Sequence, residues 1–241
     1  MTDDAGNAIR TEAEAAGYGR LQRFRAVRRL LRAEVYYAAA LGAFALLTGF
    51  AYFNAYFGWD LRTARAVQGV DGLYDFMRLV SRFGDGWVPI ALTTATALAF
   101  LLFRRRSEAF GLVFSAGGSA FVARLIKTTV GRPRPAADLV NVFSEGDLLS
   151  FPSGHVTFYV TYFGFLFFVA YALLPRASLA RRLALLLTAL PVLLIGFSRV
   201  YLGRHWPSDT LGAYLMGGLW LALALDLYRR WKKKPMEETH K

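Results

Sequence analysis

The chain has 241 residues, 55% of them hydrophobic and 15% aromatic, and its mean hydropathy is +0.33. Apolar blocks of about 18–22 residues recur along it, the length that crosses roughly 30 Å of hydrocarbon, and this excludes an ordinary soluble domain. The absence of cysteine excludes disulfides, thiol chemistry and Cys-ligated metal sites. The formal charge of +12 reads as Lys and Arg facing anionic headgroups, not as a nucleic-acid surface.

Residues 1–33 are polar, and "RLQRFRAVRRLLR" predicts a basic amphipathic segment on the membrane surface; no short apolar core with a small-residue cleavage site marks it as a signal peptide. A first span is expected at about residues 35–57. A polar stretch follows, in which "LYDFMRLVSRF" has helical apolar spacing and predicts an interfacial helix. The second span falls at about 87–103 and ends at Arg104, Arg105 and Arg106. The third falls at about 109–126 and contains "SAGGSA", with Ser115 and Ser119 at the spacing that lets helices approach closely. A loop covers 127–155. Further spans are expected at 156–174, about 183–201 and about 210–228.

The fold expectation is an all-α, polytopic helical bundle: a basic N-terminal segment at 1–33, a six-span domain at 34–230 and a basic tail at 231–241. Six spans place both termini on one side. The N-terminal segment, Arg104–Arg106, the Arg176/Arg181/Arg182 loop and "RRWKKK" then share a face, which the positive-inside rule makes cytoplasmic. The interfacial helix belongs to the opposite, outer face. Lys127, Arg132, Arg134, His155, Arg199, Arg204, His205 and Asp209 also fall there, so charge bias does not account for their placement.

Three separated pieces make up this cluster: "KTTVGRPRP", "FPSGH" and "SRVYLGRHWPSD". Arg134 and Arg199 offer planar forks of donors that match phosphate oxygens, and Lys127 a compact charge. Ser153 and Gly154 stand where a helix begins, and its unpaired N–H groups favour an anion. Of the three histidines, His155 and His205 lie in these pieces, and His240 is incidental. Asp209, four residues after His205, is within reach of one ring nitrogen and leaves the other free to attack, while His155 is left to move a proton. Pro207 predicts the start of the last helix just after His205.

K-x6-R-P, P-S-G-H and S-R-x5-H-x3-D resemble the three signatures of the type 2 phosphatidic acid phosphatase and vanadium haloperoxidase superfamily. The match covers Lys127, Arg134, Pro135, Pro152, Ser153, Gly154, His155, Ser198, Arg199, His205 and Asp209. The resemblance spans about residues 70–228. It implies that His205 attacks phosphorus and forms a phosphohistidine, that Asp209 orients His205, and that His155 protonates the leaving oxygen and then activates water. Lys127, Arg134, Ser153, Gly154 and Arg199 would hold the phosphoryl oxygens. It implies no metal and no cofactor.

The functional expectation is an integral membrane lipid phosphatase of the cytoplasmic membrane, working at its outer face, with the bilayer and a phosphorylated lipid as partners. Undecaprenyl diphosphate is the first choice. Phosphatidylglycerophosphate, phosphatidic acid and lipid A phosphate are the alternatives. A lipid phosphotransferase, and outside catalysis a lipid transporter or scaffold, complete the range; a haloperoxidase is disfavoured because those relatives are soluble. Arg132 and Arg204 either touch a headgroup or are solvated loop charges. Glu145 and Asp147 read as loop acids, and Trp59, Trp87 and Trp206 as interface anchors. Phe158 and Tyr162 read as packing or lipid-facing residues.

Overall fold

The computed structural model describes residues 34–143 and 148–233. The expectations for residues 1–33, for Glu145 and Asp147 and for most of the C-terminal tail lie outside these. The chain divides into two compact units, Met1–Gly42 and Ala43–Lys241; the description below concerns the second, apart from the first helix, which runs through the boundary.

The described residues are helical, with one isolated bridge between Pro133 and Leu149. The helices are α1 (Glu34–Phe53), α2 (Gly58–Gln68), α3 (Tyr74–Ser81), a 3-10 turn at Arg82–Gly84, α4 (Val88–Leu102), α5 (Arg106–Val130), α6 (Gly154–Leu173), α7 (Leu179–Tyr201) and α8 (Pro207–Lys233). Five of them, α1 and α5 to α8, are long and apolar enough to cross a membrane. α4 has only 15 residues and qualifies only together with the α3 segment, across a 57° bend. The expected interfacial helix and second span meet at this bend and pass only as a pair, so the count is five spans, or six with the pair taken as one span.

Several boundaries depart from the sequence expectation; α5, for example, extends over Arg106–Val130, and α7 starts at Leu179. α1 ends at Phe53, not near 57, and the polar stretch after it contains a further helix, α2. α2 starts because Asp60 sits in its first turn, where it complements the helix dipole, and Asp60 Oδ2 accepts the Phe57 N–H at 3.1 Å. At the other end of the chain α8 runs past the expected end at 228 to Lys233.

α6 packs against α5, α7 and α8 and carries most of the core. Val156, Tyr159 and Phe165 are fully buried in one cluster with Leu112, Ile195 and Ala213. Leu186, Leu187 and Leu193 of α7 are exposed, as befits a lipid-facing stripe. Polar groups tie the bundle internally: Ser115 Oγ donates to the Thr161 carbonyl at 2.8 Å, and Ser119 Oγ meets Thr161 Oγ1 at 2.9 Å. In apolar surroundings such hydroxyls need partners, and they find them across the α5–α6 contact.

The chain order places the C-terminal ends of α5 and α7 and the N-terminal ends of α6 and α8 at one end of the bundle. Arg106, Arg176, Arg181, Arg182 and the Arg229–Arg230 pair stand at the opposite helix ends.

Candidate active site

α5 stops at Gly131, whose φ of 65° and ψ of 15° put it in the left-handed region where glycine caps a helix without strain. The chain then leaves as Arg132–Pro133–Arg134. Lys127 lies on the last turn of α5, with Nζ donating to the Leu149 carbonyl at 2.9 Å. α6 begins at Gly154, with Ser153 as extended N-cap. Arg199 is on the last turn of α7. His205 lies in the turn before α8, and Pro207 opens that helix where a missing N–H costs nothing.

These elements enclose a cavity of about 320 Å³ lined by Lys127, Arg134, Gly154, His155, Arg199, Arg204 and His205, with Ser119, Thr157 and Phe158 among the other walls. No carboxylate belongs to its lining, so the cavity presents cations and a helix N-terminus. Such a concavity suits a tetrahedral oxyanion. Among the described residues, no group of three or more His, Asp or Glu side chains converges as a metal centre needs.

His205 is almost fully buried. Its Nδ1 is 3.5 Å from Asp209 Oδ2, and its Nε2 is 3.3 Å from Arg134 Nη1. Burial, reinforced by the Arg134 and Arg199 guanidiniums, holds the imidazole well below its usual pKa, so it is neutral at neutral pH. Asp209 is gripped from several sides: Oδ1 accepts from Arg132 Nη1 at 2.6 Å, and Oδ2 accepts the Trp206 N–H at 2.8 Å and the Ser150 hydroxyl.

His155 Nε2 is 2.8 Å from Asp85 Oδ1. Asp85 stands at the bend between α3 and α4. Burial raises its pKa, but the His155 hydrogen bond and the charges of His155, Arg199 and Arg204 outweigh this and hold the carboxyl below its usual range. Gly84 abuts the His155 ring: a Cβ there would lie 2.3 Å from His155 Cδ2. Ser153 is fully buried, is not part of the cavity lining, and its Oγ has no hydrogen-bond partner; its backbone N–H donates to the Asp209 carbonyl at 3.3 Å.

The structure thus brings Lys127, Arg134, Gly154, His155, Arg199 and His205 to one cavity, with Ser153 and Asp209 packed beside it. Arg204, left open between headgroup contact and solvent, joins the lining. Arg132 does neither: its side chain is fully buried between Asp60 and Asp209. Its solvated-loop alternative is wrong because the Asn54 and Ala55 carbonyls, the Phe57 ring, Asp60 and Asp209 enclose the guanidinium. Trp206 is not an interface anchor; it is buried, stacks on Tyr56 with ring centroids 5.0 Å apart, and packs with Ala64, Val140 and Val200. Trp59 and Trp87 are exposed. Phe158 and Tyr162 are both buried. Asp60, Asp85 and Ser150 carry no motif in the sequence; the acidic first turn of α2 and the "GDG" after α3 are the only local hints.

An all-helical membrane bundle with an oxyanion cavity at one end defines the class of protein. The particular family follows from comparison with known proteins. The model of the PAP2 superfamily matches residues 108–233, more than half of the chain. The chain belongs to the PAP2 superfamily and is a multi-pass membrane phosphatase of that family. It is 38% identical over 158 residues, 61% of this chain and 75% of the relative, to the decaprenylphosphoryl-5-phosphoribose phosphatase of Mycobacterium tuberculosis. It is 23% identical over 145 residues, 60% of this chain and 70% of the relative, to phosphatidylglycerophosphatase B of Bacillus subtilis. The fold is similar to that of the crystal structure of a transmembrane PAP2-type phosphatidylglycerolphosphate phosphatase from Bacillus subtilis, with a TM-score of 0.69, 22% identity, and 83% of this chain and 98% of that chain covered.

Proposed function

We propose that this phosphatase removes a terminal phosphate from a polyprenyl or glycerolipid phosphate through a phosphohistidine on His205. The observation that carries the reading is a neutral, buried His205 with Asp209 behind Nδ1 and the cationic cavity in front of Nε2. In this reading Nδ1, 3.5 Å from Asp209 Oδ2 and without a hydrogen bond in the resting structure, carries the ring proton and closes on Asp209 as charge develops, while the Nε2 lone pair attacks phosphorus. The bond to the lipid oxygen breaks as that oxygen takes a proton from the imidazolium form of His155, which is left neutral. His155 then removes a proton from water, which attacks the phosphohistidine and releases inorganic phosphate and free His205. Lys127, Arg134 and Arg199 hold the equatorial oxygens as charge moves onto them, with the Gly154 N–H at the α6 terminus. Ser153, buried behind the cavity wall, would add a donor only if its Oγ turned toward the bound phosphate.

An apolar groove supports a lipid leaving group. It has a volume of about 220 Å³, runs between α4 and α5 past Ile90, Val113 and Gly117, and shares Ala120 and Phe158 with the catalytic cavity. Undecaprenyl diphosphate remains the first sequence-based choice, and the Mycobacterium tuberculosis relative adds a second polyprenyl phosphate class. The basic residues at the far helix ends favour a cytoplasmic placement of that end, and so an outward-facing site.

Phosphate release is measured in EDTA from undecaprenyl diphosphate, decaprenylphosphoryl-5-phosphoribose and phosphatidylglycerophosphate, with wild type and His205→Ala side by side. Wild type is expected to release phosphate and form an acid-labile phosphoenzyme. His205→Ala is expected to lose on the order of 10⁴-fold in turnover, as for a nucleophile acting in a coupled unit. A phosphoenzyme that persists in His205→Ala would overturn the nucleophile assignment.

A further inference from the structure

We propose that Asp60, on α2, and Arg132 form a buried relay that fixes the orientation of Asp209, making both of them positioning residues of the phosphoryl-transfer site. The proposal rests on the reading of His205 as nucleophile and Asp209 as its partner.

Arg132 is held on every side. Its Nε donates to the Asn54 and Ala55 carbonyls, each at 3.1 Å, and its guanidinium lies 4.9 Å from the Phe57 ring centroid. Nη1 reaches Asp209 Oδ1 at 2.6 Å and Ser208 Oγ at 2.7 Å, and Nη2 reaches Asp60 Oδ2 at 3.0 Å. Asp60 is equally constrained. Oδ1 accepts the Ser208 N–H at 2.8 Å, and Oδ2 accepts the Ser208 hydroxyl at 2.7 Å as well as the Phe57 N–H. Asp60, Arg132 and Asp209 are all withdrawn from solvent.

Two consequences follow from this alternation of negative, positive and negative charge. The first is geometric. With Arg132 on Oδ1 and the Trp206 N–H and Ser150 on Oδ2, the carboxylate plane of Asp209 is fixed, and Oδ2 is the oxygen that faces His205 Nδ1. The second is electrostatic. Away from water a lone guanidinium beside Asp209 would draw most of its negative charge away from the histidine. Asp60 shares that guanidinium, so Asp209 keeps charge for the imidazolium that develops when His205 attacks. Asp60 lies outside residues 108–233, the segment that carries the family match, so only the packing of α2 brings it to the site.

A buried ion network can also serve stability alone, so the test needs readouts that stability does not move. Full-length protein in detergent is assayed as wild type, Asp60→Asn, Ser208→Ala, Asp209→Asn and the Asp60→Asn/Asp209→Asn pair, well below each melting temperature. The readouts are kcat, KM, the rate of phosphoenzyme formation and competitive inhibition by inorganic phosphate. Asp60→Asn is expected to lower kcat and phosphoenzyme formation by about 10–100-fold, the scale of a small misplacement of a reacting group. KM and phosphate inhibition should stay within about twofold, because the cavity lining is untouched, and Ser208→Ala, the milder change, should show the same split to a smaller extent. In the Asp209→Asn background Asp60→Asn should cost less than about twofold, since groups acting through one another are not additive. Wild-type kcat in both Asp60→Asn and Ser208→Ala, or an equal Asp60→Asn loss with and without Asp209, would overturn the relay. Wild-type kcat in Asp209→Asn would instead overturn the reading beneath it, and the relay with it.

Discussion

Gly84 lies against the imidazole of His155 so closely that a Cβ on it would come 2.3 Å from Cδ2, 2.8 Å from Cγ and 3.0 Å from Nε2. The bend between α3 and α4 therefore serves as a backstop for His155, and Asp85, one residue on, anchors the ring through Nε2 at 2.8 Å. Replacing Gly84 by Ala forces the ring to move. Gly84→Ala is expected to lower kcat by about 10²-fold while the melting temperature changes little, because a shift of about 1 Å in a reacting group costs that much. Unchanged kcat would mean that the position of His155 does not matter to turnover.

Asp85 is expected to matter most where His155 acts as base. Losing a hydrogen bond to a charged group costs about 1.5–3 kcal/mol, or roughly 10–100-fold in the step that depends on it. With p-nitrophenyl phosphate, whose leaving group needs little protonation, Asp85→Asn should slow dephosphorylation more than phosphorylation. Steady-state phosphoenzyme should then rise as kcat falls. A lower kcat with less phosphoenzyme would place Asp85 in the first step instead.

The depressed pKa of His205 has a definite sign in stability. The unfolded chain binds a proton at this histidine below about pH 6.5, whereas the folded protein resists it. The protein therefore incurs no penalty from His205 above that pH. It loses stability as pH falls from 6.5 toward the lower folded value, at no more than about 1.4 kcal/mol per pH unit. The melting temperature of wild type should drop more between pH 7.5 and pH 5 than that of His205→Gln. Parallel curves for the two would show that His205 is not buried in its neutral form.

At the far end of the bundle Glu108 joins α5 to α8. Its Oε1 accepts from Lys232 Nζ at 2.7 Å and from the Tyr228 hydroxyl at 3.1 Å. Glu108 is buried but Lys232 is 42% exposed, so the loss in Glu108→Ala is expected near 1–2 kcal/mol, below that of a fully buried pair. Nineteen residues of helix, about 28 Å, separate Glu108 from Lys127. The variant should melt several degrees lower with kcat and KM unchanged, by thermal denaturation and initial rates measured below the transition.

Two arginines two residues apart show how far the sequence could be read. Arg134 falls in a motif and lines the cavity. Arg132 has the same composition around it and the same turn, yet it points into a buried network. Its partners Asp60 and Asp209 are 72 and 77 residues away, and no local pattern announces such a pairing. Asp85 and His155, 70 residues apart, are the same case. Trp206 also looked like a surface anchor until packing around Ala64 and Val200 enclosed it.

The helical membrane class, the approximate spans and the three motif pieces were determined by the sequence alone, because apolar run length and residue spacing along a helix are local properties. How sharply α3 and α4 bend against each other, which charges face the cavity, and which are paired beneath it were decided only by tertiary structure. Those outcomes depend on which helix ends meet and on how much water remains between them. Burial then turns Asp60, Arg132 and Asp209 from three ordinary charges into one hydrogen-bonded unit.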